Sequence, residues 1–104
     1  MNWKHPYNFI KSITEKILLP KGYVVDFEQL NPDVFGSAFC IFKKENEKSF
    51  RLVWDGKDGW GFIQVPEKRG WKDLSIFLTE GDIEGESINY QKVNDFMKVV
   101  EINA

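Results

Sequence analysis

Covalent and general acid/base catalysis recruit a nucleophile with a base beside it, or a histidine placed to move protons. This 104-residue chain holds a single cysteine, Cys40, and a single histidine, His5. His5 adjoins Pro6 just ahead of a helical pattern, the setting of a surface or capping residue. Cys40 stands among Phe39, Ile41 and Phe42, where a thiol acts as a small buried hydrophobe. One cysteine allows no intramolecular disulfide and no thiolate cluster for zinc. The residues therefore predict no catalytic centre, no metal site and no cofactor, and a protein that is not an enzyme.

Paired carboxylates are the next source of chemistry, for glycoside cleavage or for holding a cation. Asp55 and Asp58 are the nearest such pair, but their setting, Asp55-Gly56-Lys57-Asp58-Gly59 between two strand-like runs, lacks the alternating oxygen ligands and distant glutamate of a calcium loop. A turn that uses Asp and Gly for left-handed backbone angles accounts for them. Gly56, Gly59 and Gly61 lead into the strand-like run Trp60 to Val65, not into a helix, so they make no phosphate cradle. Lys68-Arg69-Gly70-Trp71-Lys72 sets charge beside a ring and reads as a solvated loop with some capacity for an acidic polymer.

The strongest surface signal is acidic. Glu80, Asp82, Glu84 and Glu86 alternate with Gly81, Ile83 and Gly85, which puts four carboxylates within seven residues around one apolar side chain. A loop of that kind steers a cationic surface towards itself. Glu80, Asp82, Ile83, Glu84 and Glu86, with Trp71, are the expected partner-binding set, and the expected partner is a basic protein such as a toxin. Trp3, Trp60 and Trp71 become interface anchors wherever they are exposed.

The elements that must position these residues follow from periodicity. Phe9, Ile10, Ile13, Ile17 and Leu18 recur at helical spacing over residues 6 to 19, with Pro6 in the first turn and Pro20-Lys21-Gly22 as the stop. Tyr23, Val25 and Phe27 alternate as a strand. From Phe35 to Val65 three strand-like runs are separated by Lys44 to Lys48 and Asp55 to Gly59, an antiparallel meander. Turns at residues 45–48 and 55–59 would set Phe39, Ile41, Phe50, Leu52, Trp54, Trp60 and Phe62 on the core face. Ala38, Cys40, Phe42, Arg51, Val53, Gly61, Ile63 and Val65 would then form a second, half-apolar face. Residues 71–79 fit a strand or a helix and are read as a strand, and 80–86 as a loop. Asn89 then caps a second helix, with Ile88 and Val93 as a hydrophobic staple and Tyr90, Val93, Phe96, Met97 and Val100 facing the core.

The resulting expectation is a single small α+β domain over residues 1–104, with an antiparallel four- to five-stranded meander sheet and both helices packed on one face. Nine Phe, four Trp and three Tyr supply large rings for its core. A formal charge of −2 argues against nucleic acid as a partner. The absence of a long apolar run and of a secretory leader argues against a membrane, and with the unpaired cysteine it predicts a cytoplasmic protein. In size, acidity and architecture the chain resembles the small cytosolic immunity proteins encoded beside bacterial toxins. That likeness implies a protein-binding inhibitor and assigns no residue a role. The alternative is a homodimer or small-ligand-binding domain using the Ala38, Cys40, Val53, Ile63 face. A hydrolase or isomerase built on convergent carboxylates is a further alternative.

Overall fold

The computed structural model describes residues 5–83 and 88–104. Helix α1 spans His5–Leu18 and ends in a 3-10 turn at Leu19–Lys21. Gly22, at φ 98, closes that turn in the left-handed region. This is the stop that Pro20-Lys21-Gly22 predicts, because a residue with a side chain is strained there. Strands β1 (Val24–Asn31), β2 (Ser37–Lys43), β3 (Phe50–Asp55), β4 (Trp60–Glu67) and β5 (Gly70–Thr79) form one antiparallel sheet in sequential order. Helix α2 is a single turn, Glu80–Ile83, and α3 runs Tyr90–Asn103. The five-stranded meander with a helix at each end is the predicted α+β fold.

Both long helices pack on one face of the sheet. Tyr7, Ile10, Ile13 and Leu18 of α1 and Val93, Phe96 and Val100 of α3 join one core with Ala38, Cys40, Phe42, Phe50, Leu52, Trp54, Ile63 and Leu78. Asn89 caps α3, its side chain accepting from the Lys92 N–H at 3.2 Å. Tyr90 departs from its expected core position and is 69% exposed.

The core face is not the one that the expected turns imply. Leu52 lies opposite Cys40 and Ile63, and Trp54 opposite Ala38 and Gly61. Each hairpin is offset by one residue from the expected pairing, and a one-residue slip sends a strand's side chains to the other face. The β2–β3 hairpin pivots on Asn46, which takes φ 64. The β3–β4 turn keeps Asp55 paired with Trp60, leaving four residues between them. Phe50, Leu52 and Trp54 stay in the core, whereas Phe39, Ile41, Trp60 and Phe62 move to the helix-free face. Ala38, Cys40, Phe42 and Ile63, expected on a second face open to a partner or ligand, are buried under the helices.

β1 has its own inversion. Its register against β2 shifts between Val25 and Phe27, a bulge at Asp26. The extra residue breaks the alternation, so Tyr23 is buried while Phe27, expected on the same side, is 49% exposed.

Candidate functional site

The acidic segment is folded inward over part of its length. Thr79-Glu80-Gly81-Asp82 has the spacing of a capping box, and a one-turn helix forms where a loop is expected. The Asp82 carboxylate accepts from the Thr79 N–H and the Thr79 hydroxyl, each at 2.8 Å. It also accepts from Asn89 Nδ2 at 3.2 Å and Lys92 Nζ at 3.1 Å. The Asn89 N–H donates to the Asp82 carbonyl at 2.8 Å. Asp82 therefore ties the end of β5 to the start of α3, with 9% of its surface exposed. Ile83 is a core residue. The Glu80 N–H donates to the Gly59 carbonyl at 2.9 Å, joining this turn to the β3–β4 hairpin. Of the expected partner-binding set, Asp82 and Ile83 are thus internal, Glu80 is half-buried, and Glu84 and Glu86 lie outside the described residues, as does Trp3.

Burial pushes the Asp82 carboxyl up, and the Thr79 and Lys92 contacts outweigh it, holding the group below its ordinary 3.8. Glu28 behaves alike: burial raises it, but Lys11 Nζ at 2.7 Å and the Tyr7 hydroxyl at 2.6 Å bring it below 4.5. A carboxyl that holds its proton less tightly in the folded state stabilises the fold fully above its unfolded value, and that contribution is lost as pH falls through the folded value. Acid unfolding is therefore expected to begin below the ordinary values of these two groups. Asp82→Asn should lower stability by about 2 kcal/mol at neutral pH and flatten the acid limb, measured by urea titrations between pH 2 and 7.

The Tyr7–Glu28–Lys11 group sits beside Cys40, on the core side of β1 and β2. Burial pushes the Cys40 thiol up to about 11, the nearby Tyr7 hydroxyl and Lys11 opposing it only in part. At neutral pH the thiol is protonated, and the thiolate is the nucleophile. Tyr7, raised chiefly by burial and then by its bond to Glu28, is likewise neutral. The cluster is a satisfied packing contact between α1 and β1. Asp55 serves its turn, Oδ1 accepting from the Lys57 and Asp58 N–H groups at 3.0 and 3.1 Å. Among the described residues no three His, Cys, Asp or Glu side chains converge as metal ligands, and no pocket is present.

The helix-free face, which no described helix covers, gathers aromatic side chains around one arginine. Phe27 packs on Phe39 at 5.8 Å between centroids, Trp60 edge-on to Phe77 at 5.4 Å, and Phe62 on Phe77 at 5.0 Å. Arg51, on the central strand β3 near its β2–β3 hairpin end, places its Cζ 4.8 Å from the Trp71 ring and 5.6 Å from the Phe39 ring. Its Nε donates to Gln64 Oε1 at 2.7 Å, and Gln64 Nε2 donates to Asp73 Oδ1 at 2.7 Å. Burial lowers the Arg51 pKa, opposed by the Asp73 charge. Trp71, expected beside the acidic residues, instead belongs to this face. The periodicity of β2 and β4 marks Phe39 and Phe62 as one-face residues without saying which face is covered, and nothing local announces the bulge that exposes Phe27. Among the described residues no helix is long and apolar enough to cross a membrane. Against known proteins, no family model, no curated protein and no solved structure matches this chain.

Proposed function

We propose that this chain is a non-enzymatic protein-binding module that engages another polypeptide with the helix-free face of its sheet. The observation that carries this is the aromatic layer on that face, where Phe27 and Trp60 are exposed and Phe39, Phe62, Trp71 and Phe77 half-buried, with both long helices spent on the other face. Contiguous apolar surface of this kind marks interaction sites, and Trp and Arg are the side chains most enriched among binding hot spots. An immunity-type inhibitor that masks a basic toxin is the narrower form of the proposal. Its acidic contact would fall to Glu80, Glu84 and Glu86, since Asp82 and Ile83 serve the fold.

A second reading, a homodimer, is favoured by β1. Among the described residues it is an edge strand whose outer side carries no neighbour in the sheet, and Val24, Phe27 and Leu30 are exposed along it. Such an edge is a template for pairing with another chain.

The test is affinity purification of the tagged protein from its own cells in three forms: wild type, Phe39→Ser with Phe62→Ser, and Val24→Lys with Leu30→Lys. The native mass of each is measured by light scattering. A stoichiometric partner that reforms a complex when purified, and that the first variant loses by about tenfold or more, is the expected result. A dimeric mass abolished only by the second variant, with no second protein bound, would transfer the assignment to the homodimer.

A further inference from the structure

We propose that Arg51 is the anchor for an aspartate or glutamate side chain on an acidic segment of a protein partner, the flanking apolar residues of that segment resting on the Phe62–Phe77 layer. This rests on the helix-free face being the binding surface, and it specifies the chemistry of what binds there as an acidic segment, in place of the basic surface of the immunity-type form.

The guanidinium is held but not saturated. Its Nε is committed to Gln64, whose other side is committed to Asp73, and the rings of Phe39 and Trp71 lie within cation–π distance of it. The two terminal Nη groups have no hydrogen-bond or ion-pair partner among the described residues. An arginine locked in this way presents the fork that matches a carboxylate with two parallel hydrogen bonds. The ordering that binding normally costs has already been imposed by the fold. Its neighbours add to the field. Arg51 pairs with Ile41 and Gln64, close to the end of the sheet where the β2–β3 hairpin carries Lys43, Lys44 and Lys48. The β4–β5 hairpin brings Lys68, Arg69 and Lys72 to the same end. Glu45, Glu47, Glu67 and Asp73 share that end, and Lys43 is paired with Asp26 at 3.3 Å, so the cationic excess is modest and Arg51 is its ordered centre.

The same geometry disfavours a single-stranded nucleic acid. Base stacking needs free aromatic or guanidinium faces, but Phe62, Phe77 and Trp60 already pack on one another and Arg51 lies against two rings. Among the described residues, what remains unpaired on Arg51 is its terminal hydrogen-bonding edge, which suits a carboxylate.

The experiment is selection of a random dodecapeptide display library on immobilised wild-type protein, on Arg51→Gln and on Phe62→Ser, each first shown by circular dichroism to be folded. The expected result on wild type is enrichment of peptides with Asp or Glu flanked by aromatic or aliphatic residues. A synthetic copy of the leading peptide should lose about tenfold or more in affinity on Arg51→Gln. It should lose as much when its own acid is changed to the amide, with little further loss when both changes are combined. Enriched peptides without acids, no enrichment, or affinity indifferent to Arg51→Gln would overturn the anchor. In the indifferent case, loss on Phe62→Ser would leave the binding face standing, and retention there would remove the face as well. Fluorescent oligouridylate bound through Arg51 at moderate salt would overturn the acidic-peptide assignment in favour of nucleic acid.

Discussion

Replacing Trp54 with alanine is expected to lower unfolding stability by about 3 to 5 kcal/mol, whereas Trp60→Ala should lower it by about 1 kcal/mol. The two indoles lie at the same end of adjacent strands and are indistinguishable by residue type. Trp54 is 3% exposed and fits because both of its cross-strand neighbours, Ala38 and Gly61, are small. A Cβ at Gly61 would lie 3.0 Å from the Trp54 ring and would overlap Ile10 Cδ1 of α1. The ring thus fills a slot with little room to collapse when it is removed, the condition under which large-to-small changes cost most. Trp60 is 38% exposed and packs edge-on against Phe77. Urea unfolding of the two variants reads the difference directly. Equal losses would mean that Trp60 is covered and that the assignment of the two sheet faces is wrong.

Gly56→Ala is the other substitution expected to be costly, about 3 kcal/mol, at the upper end of overpacking effects. Gly56 has an ordinary backbone conformation, so the cost is steric. An added Cβ would overlap the carbonyl oxygen of Phe35 and come within 3.1 Å of the Ser37 backbone nitrogen. These are main-chain atoms of the neighbouring β1–β2 turn, which cannot rotate aside as a side chain does. The two turns are also joined by the Gly56 N–H, which donates to Ser37 Oγ at 2.9 Å. Phe35 and Gly36 already occupy the left-handed region at φ 56 and 74, leaving that turn few ways to yield. Gly81→Ala is the control: among the described residues its Cβ would meet only Thr79 Oγ1 at 3.8 Å, and thermal melts should place it close to wild type. A Gly56→Ala protein as stable as that control would show that the turns are not in contact.

The acidic segment shows how charge and its use come apart. The alternation of Glu80, Asp82, Glu84 and Glu86 is plain in the sequence, and a row of carboxylates reads naturally as a surface offered to a cation. The capping-box spacing of Thr79 and Asp82 was the signal of the internal use, because it aims one carboxylate back at its own backbone. Lys92, thirteen positions further from Thr79, completes the site only once α3 has docked on β5. Neutralising all four acids together would therefore disturb the fold as well as the surface.

By itself the sequence determined the two long helices and the first four strands. The helical period from Phe9 to Leu18, the stop at Pro20-Lys21-Gly22, the Asn89 cap, the strand periods and the Asp-Gly turn are all local, so the α+β meander with a helix at each end was legible from them. Only the tertiary structure decided which face of each strand the helices cover. That choice depends on one residue more or less in each hairpin, set by the left-handed Asn46, by the Asp55–Trp60 pairing and by the bulge at Asp26. A strand's side chains alternate with period two, so each single-residue offset exchanges core for surface. The meander survived those offsets, and they carried Phe39 and Phe62 to the face on which Arg51 was expected and lies.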